Sequence, residues 1–220
     1  MAIPLELLRT AYGDLAGLLP ALTPEEQWRP TGCAGWTPVD LGWHLLADAR
    51  RGLVALSTPT AGPVTTDAVG YWRAWQPTAE DEGRDLWATR VSASVTGGLA
   101  GIRGPYAETA AAVLVSAGRA DPGDLVATQG HVLTVADLLS TLAVEAAVHH
   151  LDLVAHLDRP GPGAGPLAEV RRVLEALLGR PLPRGWDDAS AARRGTGREP
   201  LTEGDRQALA EAADRLPLLG

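Results

Sequence analysis

Glu145-Ala-Ala-Val-His149-His150-Leu-Asp152, inside a long and strongly helical stretch, is the segment on which the reading of this chain turns. Glu145 and His149 are four residues apart, which on a helix puts both side chains on one face, about 6 Å apart along the axis. A carboxylate and an imidazole so placed can share one divalent metal. The stripe Leu138, Leu142, Glu145, His149, Asp152 or Leu153, His156 begins apolar and turns polar halfway. A Glu on the buried stripe of a helix is costly unless it is paired or bound to a metal, and a buried Glu–Arg or Glu–His pair is the plainer alternative. His150 projects about 100° away from His149 and reads as a substrate contact or a residue facing a neighbouring helix. Asp152 is placed to take the second N–H of a metal-bound imidazole, or else to pair with an arginine. His156 reads as a surface residue or one standing behind the ligands.

Working outward, a third candidate ligand lies far upstream in Trp36-Thr-Pro-Val-Asp40-Leu-Gly-Trp43-His44-Leu-Leu. Thr37 caps a helix there, Pro38 fits its first position, and Asp40 suits its first turn. Leu41, His44, Leu45, Asp48, Gly52 and Leu56 fall on one side, so His44 and Asp48 face inward or toward a cleft. A His on an apolar face is by itself as well explained as a core residue with a hydrogen-bonded ring. Joined to Glu145 and His149, it would complete a three-ligand site with an open fourth position, as a catalytic metal needs.

The remaining chain reads as helices with clear punctuation. Leu5, Leu8, Tyr12, Leu15 and Leu19 mark a first helix over Pro4–Leu19, with Pro20 at its end. Thr23-Pro-Glu-Glu26 is a capping box opening a short turn. Residues Ser57–Thr78, rich in Pro, Thr and Gly, form a long connection with one helical turn, and connections this long are often functional. A helical stretch over Ala79–Ala117 is broken or kinked at Gly97-Gly98 and Gly101. Leu125–Leu133 is a short extended piece, with His131 exposed in a loop, and Thr134-Val-Ala-Asp137 caps the helix of Glu145, which ends near Leu157. Pro160–Pro166 is a linker. Beyond it come a helix over Leu167–Leu178, a Pro/Gly-rich loop and a last helix after Thr202-Glu-Gly-Asp205. Four long helical regions before the linker predict an all-α four-helix bundle with a long crossover, residues 1–159, and a small C-terminal helical extension, residues 160–220. Exposed Leu174, Leu177, Leu178 and Trp186 would be costly, so the extension is expected to pack on the bundle.

Composition narrows the function. The net charge of −8 over 220 residues, with scattered Arg, offers no footprint for nucleic acid or an anionic membrane. No stretch has the roughly 18 apolar residues of a membrane span, and no signal peptide is read at the N-terminus, so a cytoplasmic protein is expected. The single cysteine, Cys33, excludes an intrachain disulfide, and no base stands near it in sequence to activate the thiol.

The Trp36–His44 segment, joined to Glu145-x-x-x-His149-His150-x-Asp-Leu, resembles the mycothiol-dependent maleylpyruvate isomerase family, part of the DinB-like group of metal-binding four-helix bundles. The resemblance covers about residues 1–158 and carries the family's metal ligands onto His44, Glu145 and His149. It implies mycothiol, a sugar-linked cysteine thiol, as co-substrate. The tail pieces Arg171–Gly179, Leu182–Trp186, Gly195–Arg198 and Leu216–Gly220 are similar to those of small members of the group. The tail differs from the larger C-terminal domain of the isomerase, which contributes an active-site arginine. Arg198, Arg194 and Arg184, in a Gly-rich loop, are candidates for that role, with the Trp186–Arg198 stretch expected near the cleft mouth and ordinary surface arginine as the alternative. Arg198 and His150 are the candidate catalytic residues.

These readings predict a divalent metal, zinc from the mixed nitrogen and oxygen donors, which nickel could replace on a nickel column. The expected partners are a low-molecular-weight thiol and a small electrophile, acted on by a monomer or homodimer. The leading expectation is a metal-dependent thiol transferase or isomerase. A hydrolase using metal-bound water and a metal-binding bundle without catalysis are the alternatives.

Overall fold

A computed structural model describes residues 3–75 and 78–219. Met1, Ala2, Gln76, Pro77 and Gly220, assigned from sequence to the N-terminus, the crossover and the closing tail motif, lie outside the described residues. Helices dominate, and one two-stranded hairpin is the sheet found among the described residues.

Four helices form the bundle: α1 (Pro4–Ala21), α2 (Pro38–Leu56), α5 (Leu99–Ala117) and α6 (Val135–Val154). Between α2 and α5 come α3 (Ala68–Ala74) and α4 (Ala79–Ser94). The helices α1 and α2 each pack against both α5 and α6. Chain neighbours α1 and α2 are therefore diagonal partners, not adjacent ones. The core between them is aliphatic, with Leu8, Leu15, Leu19, Leu41, Leu46, Ile102 and Leu142 fully buried. Tyr12 of α1 and Tyr106 of α5 meet edge to face in it, ring centres 6.0 Å apart.

Local signals set the helix starts. The Thr37 hydroxyl accepts from the Asp40 N–H while the Asp40 carboxylate accepts from the Thr37 N–H at 2.9 Å. At α6 only the forward half of such a box forms. Thr134 accepts from the Asp137 N–H, and Asp137 spends its other oxygen on the Ala68 N–H of α3 at 3.1 Å. The cap of α6 thus also holds the start of α3. The break read near Gly97-Gly98 is sharp: these residues adopt φ of 73° and 82°, open to glycine at little cost, and α5 starts immediately after.

Several boundaries differ from the sequence reading. The first helix runs past Pro20 to Ala21, since a proline in the last turn removes one N–H without blocking the turn that follows. The crossover carries two helical turns in α3. The extended piece is a hairpin, β1 (Leu125–Thr128) and β2 (His131–Thr134), turning at Gln129-Gly130. His131 is in β2, half-buried beside Tyr71 at 6.0 Å between ring centres, and not in an exposed loop. The helix of Glu145 stops at Val154. The linker is shorter than read, because Pro166 lies in the first turn of α7 (Ala164–Leu178), where no intrahelical N–H is needed. The loop expected over Trp186–Arg198 holds a helix, α8 (Asp188–Gly195), capped by Asp187 through the Ser190 N–H at 2.7 Å. The last helix, α9 (Glu203–Leu209), has a full capping box between Thr202 and Asp205.

A second apolar cluster joins the tail to the bundle. Val144, Ala147, Val148 and Leu151 of α6, with Tyr71 and Trp72 of α3, pack against Val170, Val173, Leu174, Leu178, Leu182 and Trp186. Helix α6 is therefore apolar nearly all round and buried on both sides, as a central helix must be.

Candidate metal centre

Helices α2 and α6 bring His44 and the Glu145/His149 pair together. The Glu145 Oε1 lies 2.9 Å from His44 Nε2 and 3.4 Å from His149 Nε2. One ligand atom from each of the three lies within 4.8 Å of the others. Those two separations bracket the roughly 3.3 Å edge of a tetrahedral site with bonds near 2.0 Å. The two imidazole rings stand 4.7 Å apart at 78°, and Trp36 sets its ring edge to face with His44 at 5.7 Å. His44 is 32% exposed, against 18% for Glu145 and 14% for His149, so the cluster opens to solvent on the His44 side.

The charges respond to this crowding. Burial works to raise the Glu145 carboxyl, but hydrogen bonds and charge from His149 and His44 hold it well below the usual value. Burial works against a charged His149, yet hydrogen bonds to Asp152, Cys33 and Glu145 push that imidazole well above its ordinary value.

Behind His149 stands a second layer. The Asp152 Oδ2 takes the His149 Nδ1 at 3.0 Å. Arg198 forks onto the same carboxylate, Nε to Oδ1 at 2.9 Å and its terminal nitrogen to Oδ2 at 3.1 Å. Asp152 makes both kinds of contact at once, Oδ2 facing the imidazole and both oxygens accepting from the arginine. Against the opposing effect of burial, His149 and Arg198 hold the Asp152 carboxyl well below its usual range. The arrangement is that of a carboxylate orienting an imidazole so that its Nε2 points at the ligand cluster.

Cys33 belongs to this layer, which the sequence reading did not foresee. Its thiol donates to Asp152 Oδ2 at 3.1 Å and lies 3.8 Å from His149 Nδ1. The base missing in sequence comes from 116 positions away. The loop reaches α6 through Gly32, whose N–H donates to the Asp152 carbonyl at 2.9 Å. A Cβ on Gly32 would fall 2.3 Å from Asp152 Oδ1, so glycine is required for this approach.

Other candidates lie elsewhere. His150 is buried on another face, its Nε2 3.1 Å from the Pro160 carbonyl, and burial lowers its proton affinity. Among the described residues it makes no hydrogen bond to the cluster. Arg198 is at the site, its guanidinium engaged by Asp152. Arg194 bonds Glu199 at 2.7 Å and stacks over Trp186 at 5.1 Å, while Arg184 is exposed. His156 is exposed beyond the end of α6. Asp48 faces inward as read and is buried, paired with Arg51, and it is Arg51 that the sequence reading passed over. The spacing of seven between His44 and Arg51 was the available signal.

Residues 8–154 match the family model described as the mycothiol maleylpyruvate isomerase N-terminal domain. The crystal structure of the mycothiol-dependent maleylpyruvate isomerase shares the fold at a TM-score of 0.57 and 17% identity, over 89% of this chain and 88% of that one. A mutant of that isomerase matches over the same shares at 0.54. A match of 89% extends beyond residue 154, so part of the tail takes part in it. No curated protein matches the sequence. The all-α, DinB-like bundle and the family assignment agree, and by the match over most of its bundle this chain belongs to the family of the mycothiol maleylpyruvate isomerase N-terminal domain.

Proposed function

We propose that this protein is a metal-dependent thiol transferase or isomerase, in which His44, Glu145 and His149 hold one divalent ion, zinc by their mixed donors, and mycothiol is the thiol co-substrate. The observation that carries the reading is the convergence of two imidazoles and one carboxylate from α2 and α6 at near-tetrahedral spacing, open on one side. When bound, such an ion supplies the positive charge that lets a thiol lose its proton near neutral pH.

The protein's own residues do the rest. Glu145 supplies one negative charge to offset a dication, and His149 must release its proton for its Nε2 to serve. Asp152, held by Arg198, keeps the Nδ1–H and fixes the ring plane. Trp36 packs edge to face on the His44 ring. The thiolate would then add to an electrophilic carbon of a small substrate, giving a transient adduct that isomerises or a stable conjugate. We divide the chain into a bundle, residues 1–159, that carries the site and an extension, residues 160–220, that supports it, and we place the reaction in the cytoplasm with its thiol.

The test is elemental analysis of untagged protein together with activity measured with and without mycothiol. About one zinc per chain and strictly thiol-dependent turnover are expected. Turnover independent of thiol would replace this reading with hydrolysis, and metal far below one equivalent would remove the metal.

A further inference from the structure

The outward side of α4 is not composed like that of a solvent-facing helix. Trp87, Val91 and Val95 recur at helical spacing and are 67%, 49% and 82% exposed. Helix α4 packs on α2, and its less exposed residues are Leu86, Thr89 and Ala93. Beyond Asp85, Arg90 is the one charged residue of the helix. Its guanidinium is drawn to the Gly35 carbonyl and, at 3.3 Å, to the Asp40 carboxylate. An outer stripe that is apolar and almost free of charge marks a contact surface. Trp28, itself 60% exposed, adjoins the stripe. Gln27 accepts from the Leu99 N–H at 3.1 Å and so ties the turn Glu26–Trp28 to the chain just past α4. Between Trp28 and α4 lies a cleft of about 300 Å³, walled by Val39, Arg90, Ala93 and Ser94. Trp87 and Ser94, seven residues apart, share one face of α4 and lie about 10 Å from each other along its axis. A projecting indole and a cleft thus stand side by side on one helix.

We propose that a second copy of the chain docks on this face, α4 against α4 and antiparallel, each Trp87 entering the other copy's cleft beside Trp28. A two-fold axis between positions 90 and 91 sets position 87 of one copy opposite position 94 of the other and brings the two Val91 side chains together. One helix face then supplies both the knob and the hole, as a symmetric contact requires. Charge selects a second copy as the occupant. A chain of net charge −8 repels its own kind over most of its surface and can meet it where charge is absent, and it repels an anionic membrane outright. The area agrees. On a scale of about 150–250 Å² for a buried aromatic side chain, Trp28, Trp87, Val91 and Val95 leave about 500 Å² of apolar surface in water per copy, about 1,000 Å² for the pair, the lower end for a specific interface. A dissociation constant in the micromolar range is expected. The contact needs neither metal nor thiol.

The test is sedimentation equilibrium of the untagged full chain over a wide range of concentration. Wild type should pass from monomer to dimer, and Trp87→Glu should weaken the association at least about thirtyfold. Val91→Glu, which sets like charges across the axis, should weaken it too, as should Ser94→Arg, which blocks the cleft mouth and leaves the indole in place. Val115→Glu on α5, at a side chain 52% exposed, should leave it unaltered. Trp87, Val91 and Ser94 are on the exposed side of α4, so all these variants should melt as wild type does at concentrations where every chain is monomeric. On mild oxidation Val91→Cys should cross-link to itself, while wild type, with Cys33 alone, should not. A wild type that stays monomeric at every concentration would overturn the proposal. So would a dimer that survives both Trp87→Glu and Ser94→Arg, which puts the contact on another face. Dissociation by Trp87→Glu without cross-linking through Val91→Cys would overturn the antiparallel pairing.

Discussion

The bundle core and the tail core meet on α6 and are built in opposite ways. The first is made by helices of 18 to 20 residues, each with its own apolar stripe. The second gathers helices of 15, 8 and 7 residues around the outer face of α6. Helices shorter than about 12 residues are marginal alone, so the tail owes its form to the surface it covers. The debt runs both ways, since Val144, Ala147, Val148 and Leu151 are buried only by what packs outside the bundle. The site repeats the contrast. Its ligand side comes from α2 and α6, and its supporting side from a loop and the tail through Cys33 and Arg198.

Removal of the tail after Arg159 is the most severe way to break the comparison. It exposes one face of α6, each large apolar side chain contributing about 1.5–3 kcal/mol, against a total stability of about 5–15 kcal/mol. The truncated chain is expected to lose cooperative thermal unfolding by circular dichroism, and a truncated chain melting near the wild-type temperature would show two independent cores. His149→Ala comes next: zinc should fall from about one per chain to near none while helicity is kept, because apolar packing carries the fold. Global unfolding of that variant would make His149 a core residue instead.

Asp152→Asn tests the supporting side alone. Zinc affinity should drop about 10–100-fold in a competition titration, with zinc still bound at saturation. An unchanged affinity would detach the second layer from the first. Acidity separates the loaded and metal-free proteins. The raised pKa of His149 contributes stability to the metal-free fold that is present below the ordinary histidine value and is lost as pH rises through the raised one. The chelated protein should therefore gain melting temperature between pH 8 and pH 6, whereas the zinc protein should lose it as protons compete with the metal (about tenfold in affinity per pH unit per proton). Parallel pH curves would contradict this.

The smallest effect sharpens the comparison most cheaply. Thr37→Ala removes a cap in the bundle and Thr202→Ala one in the tail, each worth about 1 kcal/mol and about 2–4 °C in a chain of this size. Equal shifts of a single transition mean that the two cores unfold together. A Thr202→Ala variant that leaves the main transition unmoved means that they do not.

What could be read from the chain alone was whatever acts over three or four residues. The caps at Thr37, Thr134 and Thr202, the break at Gly97-Gly98, and the shared face of Glu145 and His149 follow from the pitch of a helix and the reach of a short side chain. The apolar residues of α6 announced a buried helix, and its polar half announced a site. His44 stood out on its own helix as a possible third ligand, but its assignment to that site leaned on family resemblance, since no local rule links positions 101 apart. Helix α8 escaped notice because its buried residues are Ala191, Ala192 and Gly195, too small to draw an apolar stripe. Only the tertiary structure decided that Cys33 meets Asp152 and that Arg198 supports a carboxylate. These contacts join distant parts of the chain, and their geometry is set by how helices pack, which periodicity along one helix does not encode.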